Sequence, residues 1–114
     1  MQYALLIYQP SDFDPNAFTQ EEGKKVAAEY TALVSAPNVK QNVPLGKIQD
    51  AVTVDGQDGK TETKPGPYAS AKRSVNSVYL VEAPSKDEAI ALASRIPAIR
   101  LGGAVEVRPV ENYW

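Results

Sequence analysis

Residues Tyr3 to Tyr8 form a short run that is apolar on both alternating faces, with Tyr3, Leu5 and Ile7 on one side and Ala4, Leu6 and Tyr8 on the other. The run stops at Gln9-Pro10, and its length favours a strand over a helix. A strand without a polar side needs cover above and below. A second run of this kind, Val78-Tyr-Leu-Val81, lies late in the chain. Any fold must bury four apolar strand faces, and the other elements are read by whether they can do so.

Each run is followed by a helix signal. Thr19-Gln-Glu-Glu22 is a capping box, in which the Thr hydroxyl and the Glu carboxylate each satisfy an orphan amide of the first turn. Val26, Tyr30, Leu33 and Val34 then recur at helical spacing, and Pro37 supplies a stop. Ser85 with Glu88 repeats the capping pattern, with Ala89, Leu92, Ala93 and Ile96 as the buried stripe and Pro97 as the stop. Between the two units, 39–48 carries β-branched residues but is broken by Pro44 and Gly46, which reads as irregular or a bent edge strand. Ala51-Val-Thr-Val54 and Lys60-Thr-Glu-Thr63 read as a hairpin joined by two Asp-Gly pairs. Leu101-Gly-Gly103 is a turn, and Ala104 to Val110 alternates as a last strand with Val105 and Val107 on one face and Glu106 and Arg108 on the other. The terminal Tyr113 and Trp114 are expected to pack against the fold or a partner.

The predicted order is strand, helix, hairpin, strand, helix, strand, with no repeat or linker. A chain of 114 residues with 43% hydrophobic content is one ordinary domain, able to hide roughly two thirds of the surface its unfolded form would expose. Two helices cover only one face of a sheet. The second apolar face is therefore expected to pack against another copy, sheet to sheet, in a symmetric homodimer.

Several function classes are excluded by what is missing. Cys and His are both absent. That removes thiolate and Ser–His nucleophiles, disulfides, and Cys- or His-built metal sites. Any catalysis must use carboxylates, Tyr, Lys, Arg or Ser. The net charge of −2 is scattered, without the basic stripe that nucleic acid requires. No apolar stretch approaches the ~20 residues of a membrane span, and the N-terminus lacks a signal peptide's cationic start. The expectation is a cytoplasmic protein with no cofactor, no metal, no direct nucleic-acid partner and no membrane partner.

The stretch from Pro65 to Tyr79 combines stiffness, a phenol and adjacent cations. In a binding reading, Pro65 and Pro67 stiffen a loop around Gly66, whose backbone a ligand can approach closely. Tyr68, Lys72, Arg73 and Tyr79 would then donate to a small polar or anionic ligand. In the plainer reading Pro-Gly-Pro turns the chain, Tyr68 packs, and Lys72-Arg73 is a solvated pair. Arg100, beside Gly102-Gly103, and Asp12 are further candidates, whereas Glu106 and Arg108 read as cross-strand or interface ion pairs.

Taken together, Met1 to Tyr8, Ala51 to Val54, Gly66-Pro-Tyr-Ala69 with Lys72, Asp87-Glu-Ala89 through Ala98, and Gly103 to Val110 resemble the YCII-related proteins, within them the branch named for an Asp-Gly-Pro-Phe (DGPF) motif. The resemblance covers nearly the whole chain. It implies a small bacterial protein of α+β class with a ferredoxin-like antiparallel sheet, two helices on one face and a dimeric α+β barrel. It also implies a His and an Asp in the cleft of the wider group. One lineage resembles a dehydrohalogenating lyase, and others are encoded beside alternative sigma factors. This chain departs from the pattern: the motif's acidic residue is Pro65, its following Glu is Ser70, and the His has no counterpart. Three functions stay open: a binding protein without the catalytic pair, a lyase or isomerase of a small organic acid with Tyr68 or Tyr79 as acid/base and Lys72, Arg73 or Arg100 holding the carboxylate, and an interaction subunit linked to transcription.

Overall fold

The computed structural model describes residues 1–69 and 71–112. Ser70 and the Tyr113–Trp114 tail lie outside the described residues. The strands are β1 (Gln2–Pro10), β2 (Val39–Pro44), β3 (Val52–Asp55), β4 (Glu62–Pro65), β5 (Arg73–Glu82) and β6 (Ala104–Pro109); the helices are α1 (Gln20–Val34) and α2 (Lys86–Ala93). Four strands form one antiparallel sheet in the order β2-β5-β1-β6, and β3 pairs only with β4 in a separate two-stranded ribbon. The fold is α+β.

Alternation in β1 sorts the two faces of the sheet. Tyr3, Leu5 and Ile7 are buried together with Tyr79 and Val81 of β5, and against them pack Leu33 of α1 and Ala89, Leu92 and Ala93 of α2. Both helices therefore lie on this face. Ala4, Leu6 and Tyr8 point the other way, beside Val78 and Leu80; all five are half-buried, and among the described residues neither helix packs over them. Glu106 stands opposite Leu6 and Arg108 opposite Ala4, so the polar face of β6 borders this open apolar strip.

Local chemistry explains the element ends. At α1 both halves of the capping box form: Glu22 N–H donates to Thr19 Oγ1 at 3.1 Å and Thr19 N–H to the Glu22 carboxylate at 3.4 Å. At α2 the Ser85 hydroxyl accepts from the Glu88 amide. That helix stops at Ala93, short of the Ile96 that the apolar stripe suggested. Ile96 precedes Pro97 and is extended (φ −72°, ψ 127°), because the proline ring crowds a helical residue before it. Ile96 and Pro97 are nevertheless buried, capping the core from a short 3-10 turn, Pro97–Ile99.

Of the two readings of 39–48, residues 39–44 take the edge strand, with an irregular register between Val39 and Gln41, and the break falls after Pro44. β5 begins at Arg73 rather than near Val78, because Ser74, Val75 and Ser77 pair with β1 around a bulge opposite Ile7/Tyr8. Gly103 sits where its backbone crosses β1: a Cβ there would collide with the Tyr8 carbonyl oxygen, and its N–H donates to the Ala98 carbonyl at 2.8 Å. The Gly102-Gly103 pair thus serves close packing at the start of β6.

Candidate functional site

The segment after β4 turns at Gly66, whose φ of +94° lies in the left-handed region that favours glycine. Its N–H donates to the Ala51 carbonyl at 2.7 Å, and its own carbonyl accepts from Thr53 Oγ1 at 2.9 Å, closing the base of the ribbon. Past Pro67, Ala71 and Lys72 bring the chain back to the body and are tied to the first loop. Ser11 N–H donates to the Lys72 carbonyl at 2.8 Å and Ser11 Oγ to the Ala71 carbonyl at 2.7 Å. Arg73 begins β5 opposite Pro10.

These connections leave a cleft of about 600 Å³ on the open side of the sheet. Tyr8 and Val75 come from the strands, Pro67, Ala69, Ala71 and Arg73 from the crossing segment, and Leu45 to Ile48 with Asp50 and Ala51 from the loop after β2. Arg73 and Lys47 provide cations, Asp50 a carboxylate, and the remaining wall is largely aliphatic. Tyr8 donates to Glu106 at 3.2 Å, and Arg108 lies 3.7 Å from the other oxygen of that carboxylate. The bond to Glu106 raises the Tyr8 pKa above its ordinary value. The phenol stays protonated at neutral pH, which suits a hydrogen-bond donor and not a general base.

The same loop walls a second cleft of about 880 Å³, on its other side, where the first loop meets the ends of β1 and β5. Its lining is mixed, with Gln9, Ser11, Asn16 and Gln49 beside Phe13 and Leu45. Gln9 is nearly buried on the helix side. Deeper in, the Tyr30 hydroxyl is buried without a well-formed hydrogen bond; burial raises its pKa, and weak polar contacts with the Ala98 backbone and Gln9 oppose the rise.

Of the residues singled out in the sequence, Pro67 and Arg73 come together in the open-face cleft, and Gly66 shapes its rim. Tyr68 is 80% exposed and, like Lys72, lines neither cleft. Tyr79 lies in the core on the helix side, 3% exposed, and desolvation pushes its pKa up to about 12. Arg100 is engaged elsewhere, in a two-pronged pair with Glu29 at 2.6 Å on each arm, which holds the Glu29 carboxyl below its usual range. Glu106 and Arg108 pair along β6 itself. Among the described residues, no group of three acidic side chains is placed to hold a metal. Sequence reasoning missed Tyr8 and Lys47. The usable signals were the second apolar face of β1, which had to lie open beside a loop, and the Pro44–Gly46 break that creates that loop.

The sequence profile of the YCII-related domain matches residues 1–113. The chain belongs to the YCII-related family. It is also 30% identical over 118 aligned residues to the uncharacterized protein R00369 of Rhizobium meliloti (strain 1021), an alignment covering 99% of this chain and 94% of that protein. No helix among the described residues of this YCII-related protein is long and apolar enough to cross a membrane.

Proposed function

We propose that this YCII-related protein is a homodimeric binding protein of the DGPF-motif branch, which takes a small organic anion into its open-face cleft. The observation that carries the reading is the meeting of Arg73 and Lys47 over an aliphatic wall of Leu45, Ile48, Ala69, Ala71 and Val75. A guanidinium and an ammonium recognise a carboxylate, and the aliphatic wall accepts its body. Gly66-Pro67-Tyr68, with Gly66 in the left-handed conformation, supports placement in the branch. The strand order β2-β5-β1-β6 with both helices on one face fits a ferredoxin-like arrangement. Two such sheets meeting through the Ala4, Leu6, Val78 and Leu80 strip would make the dimeric α+β barrel. Binding is favoured over catalysis because the chain has no His and the candidate acid/base phenols Tyr68 and Tyr79 line neither cleft.

Thermal shift against a panel of small aliphatic and aromatic carboxylates tests the reading. At least one acid should stabilise the parent, with its affinity lowered at least about tenfold by Arg73→Gln, the loss of one charged hydrogen bond, and unchanged by Lys72→Ala. A parent insensitive to every acid, or an Arg73→Gln variant that responds as the parent does, would overturn it.

A further inference from the structure

The β3–β4 ribbon has two unlike sides. Val52 and Val54 share a face, 63% and 66% exposed, and opposite them in register stand Pro65 and Thr63. The other side pairs Thr53 with Lys64 and Asp55 with Glu62. A tight reversal closes the tip, with Asp58 and Gly59 both at positive φ, 55° and 73°. The ribbon buries no residue of either strand and is anchored chiefly at its base, through Gly66 and Ala51. An isolated two-stranded ribbon is marginal in water and gains stability when its apolar side is covered.

The dimensions of the chain fit an uncovered arm. Its accessible surface is 8238 Å², where a compact monomer of this mass exposes about 6100 Å². The radius of gyration is 15.9 Å, against about 13 Å for a compact domain of this length. The molecule is a slab of 45 × 40 × 19 Å. The excess of about 2000 Å² is what one partner buries in a large, permanent interface. The ribbon's base, at Ala51 and Pro67, lines the open-face cleft with Tyr8 and Val75, so the arm leaves the body on the same side as the uncovered apolar strip.

We propose that the β3–β4 ribbon is a clasping arm whose Val52–Val54 face lies against a second copy of this chain, extending the contact between the two open sheet faces. The inference rests on the homodimer reading above. A second copy is the occupant because a two-fold axis through the open face would set its apolar strip against the same strip of the partner, and the excess exposed surface matches what such an interface buries. The strip is flanked by Glu106 and Arg108, charges of both signs that a two-fold axis can pair across copies.

Sedimentation equilibrium of the full chain tests this with Val52→Glu/Val54→Glu and, on the opposite side of the ribbon, Glu62→Ala, near-UV circular dichroism verifying the fold of each. The parent should be a dimer, the double variant should dissociate at least tenfold more readily, and Glu62→Ala should match the parent. A dimeric parent whose affinity the double variant leaves unchanged overturns the arm while the homodimer reading stands. Equal weakening by both variants overturns the assignment of the face. A parent that is monomeric at micromolar concentration overturns the homodimer reading, and the arm with it.

Discussion

The four-stranded body and the β3–β4 ribbon are both antiparallel pairings of β-branched strands, yet only the body covers one of its faces with helices. In β1, Leu5 and Ile7 are fully buried beneath two helices; in β3, Val52 and Val54 stand in solvent. Strand pairing alone therefore does not settle where a residue ends up. The body owes its cohesion to Leu5, Ile7, Val81 and Ile96, while the ribbon is held by ladder hydrogen bonds and the bonds at Gly66. The proposed dimer gives the ribbon the layer that its own chain does not provide.

The contrast is broken most sharply by truncation. Leu5→Ala, in the centre of the body, should cost about 3 kcal/mol in denaturant unfolding, whereas Lys64→Ala on the charged side of the ribbon should change stability by less than about 0.5 kcal/mol. Comparable losses from both would mean that the ribbon is part of the folding unit in its own right.

A smaller effect comes from pH. Burial favours the neutral Tyr79 phenol, so its pKa of about 12 in the fold exceeds the ordinary 10.0. The folded chain holds this proton more tightly than the unfolded chain. The associated stability is full below pH 10 and is lost as pH rises toward 12, by roughly 2 kcal/mol. Tyr79→Phe should flatten the alkaline limb of a stability profile. An unchanged limb would place the alkaline loss on other groups, such as Tyr30, whose pKa burial also raises.

Much of the body was legible because its signals are local and redundant. The capping box at Thr19, the stripe of Val26, Tyr30, Leu33 and Val34, and the two-faced β1 each point to one structure. The reading of α2 past Ala93 failed because apolar spacing continues into Ile96 while Pro97 forbids the helix there. The start of β5 was missed because Lys72, Arg73 and Ser74 look like a polar loop, and pairing with β1, a long-range contact, makes strand of the last two. The site was less legible for a similar reason. Arg73 was visible as a cation, but its neighbours Tyr8 and Lys47 come from distant parts of the chain. Arg100 could not be told from a free cation until Glu29 was found across from it.

Hydrogen exchange, followed by mass spectrometry on peptides spanning 52–65 at a series of protein concentrations, tests the central claim most directly. The account predicts that amides of β3 and β4 are protected when the chain is concentrated and lose that protection on dilution, while β1 and β5 stay slow in the body throughout. Fast exchange in 52–65 at every concentration, beside a protected body, would contradict it.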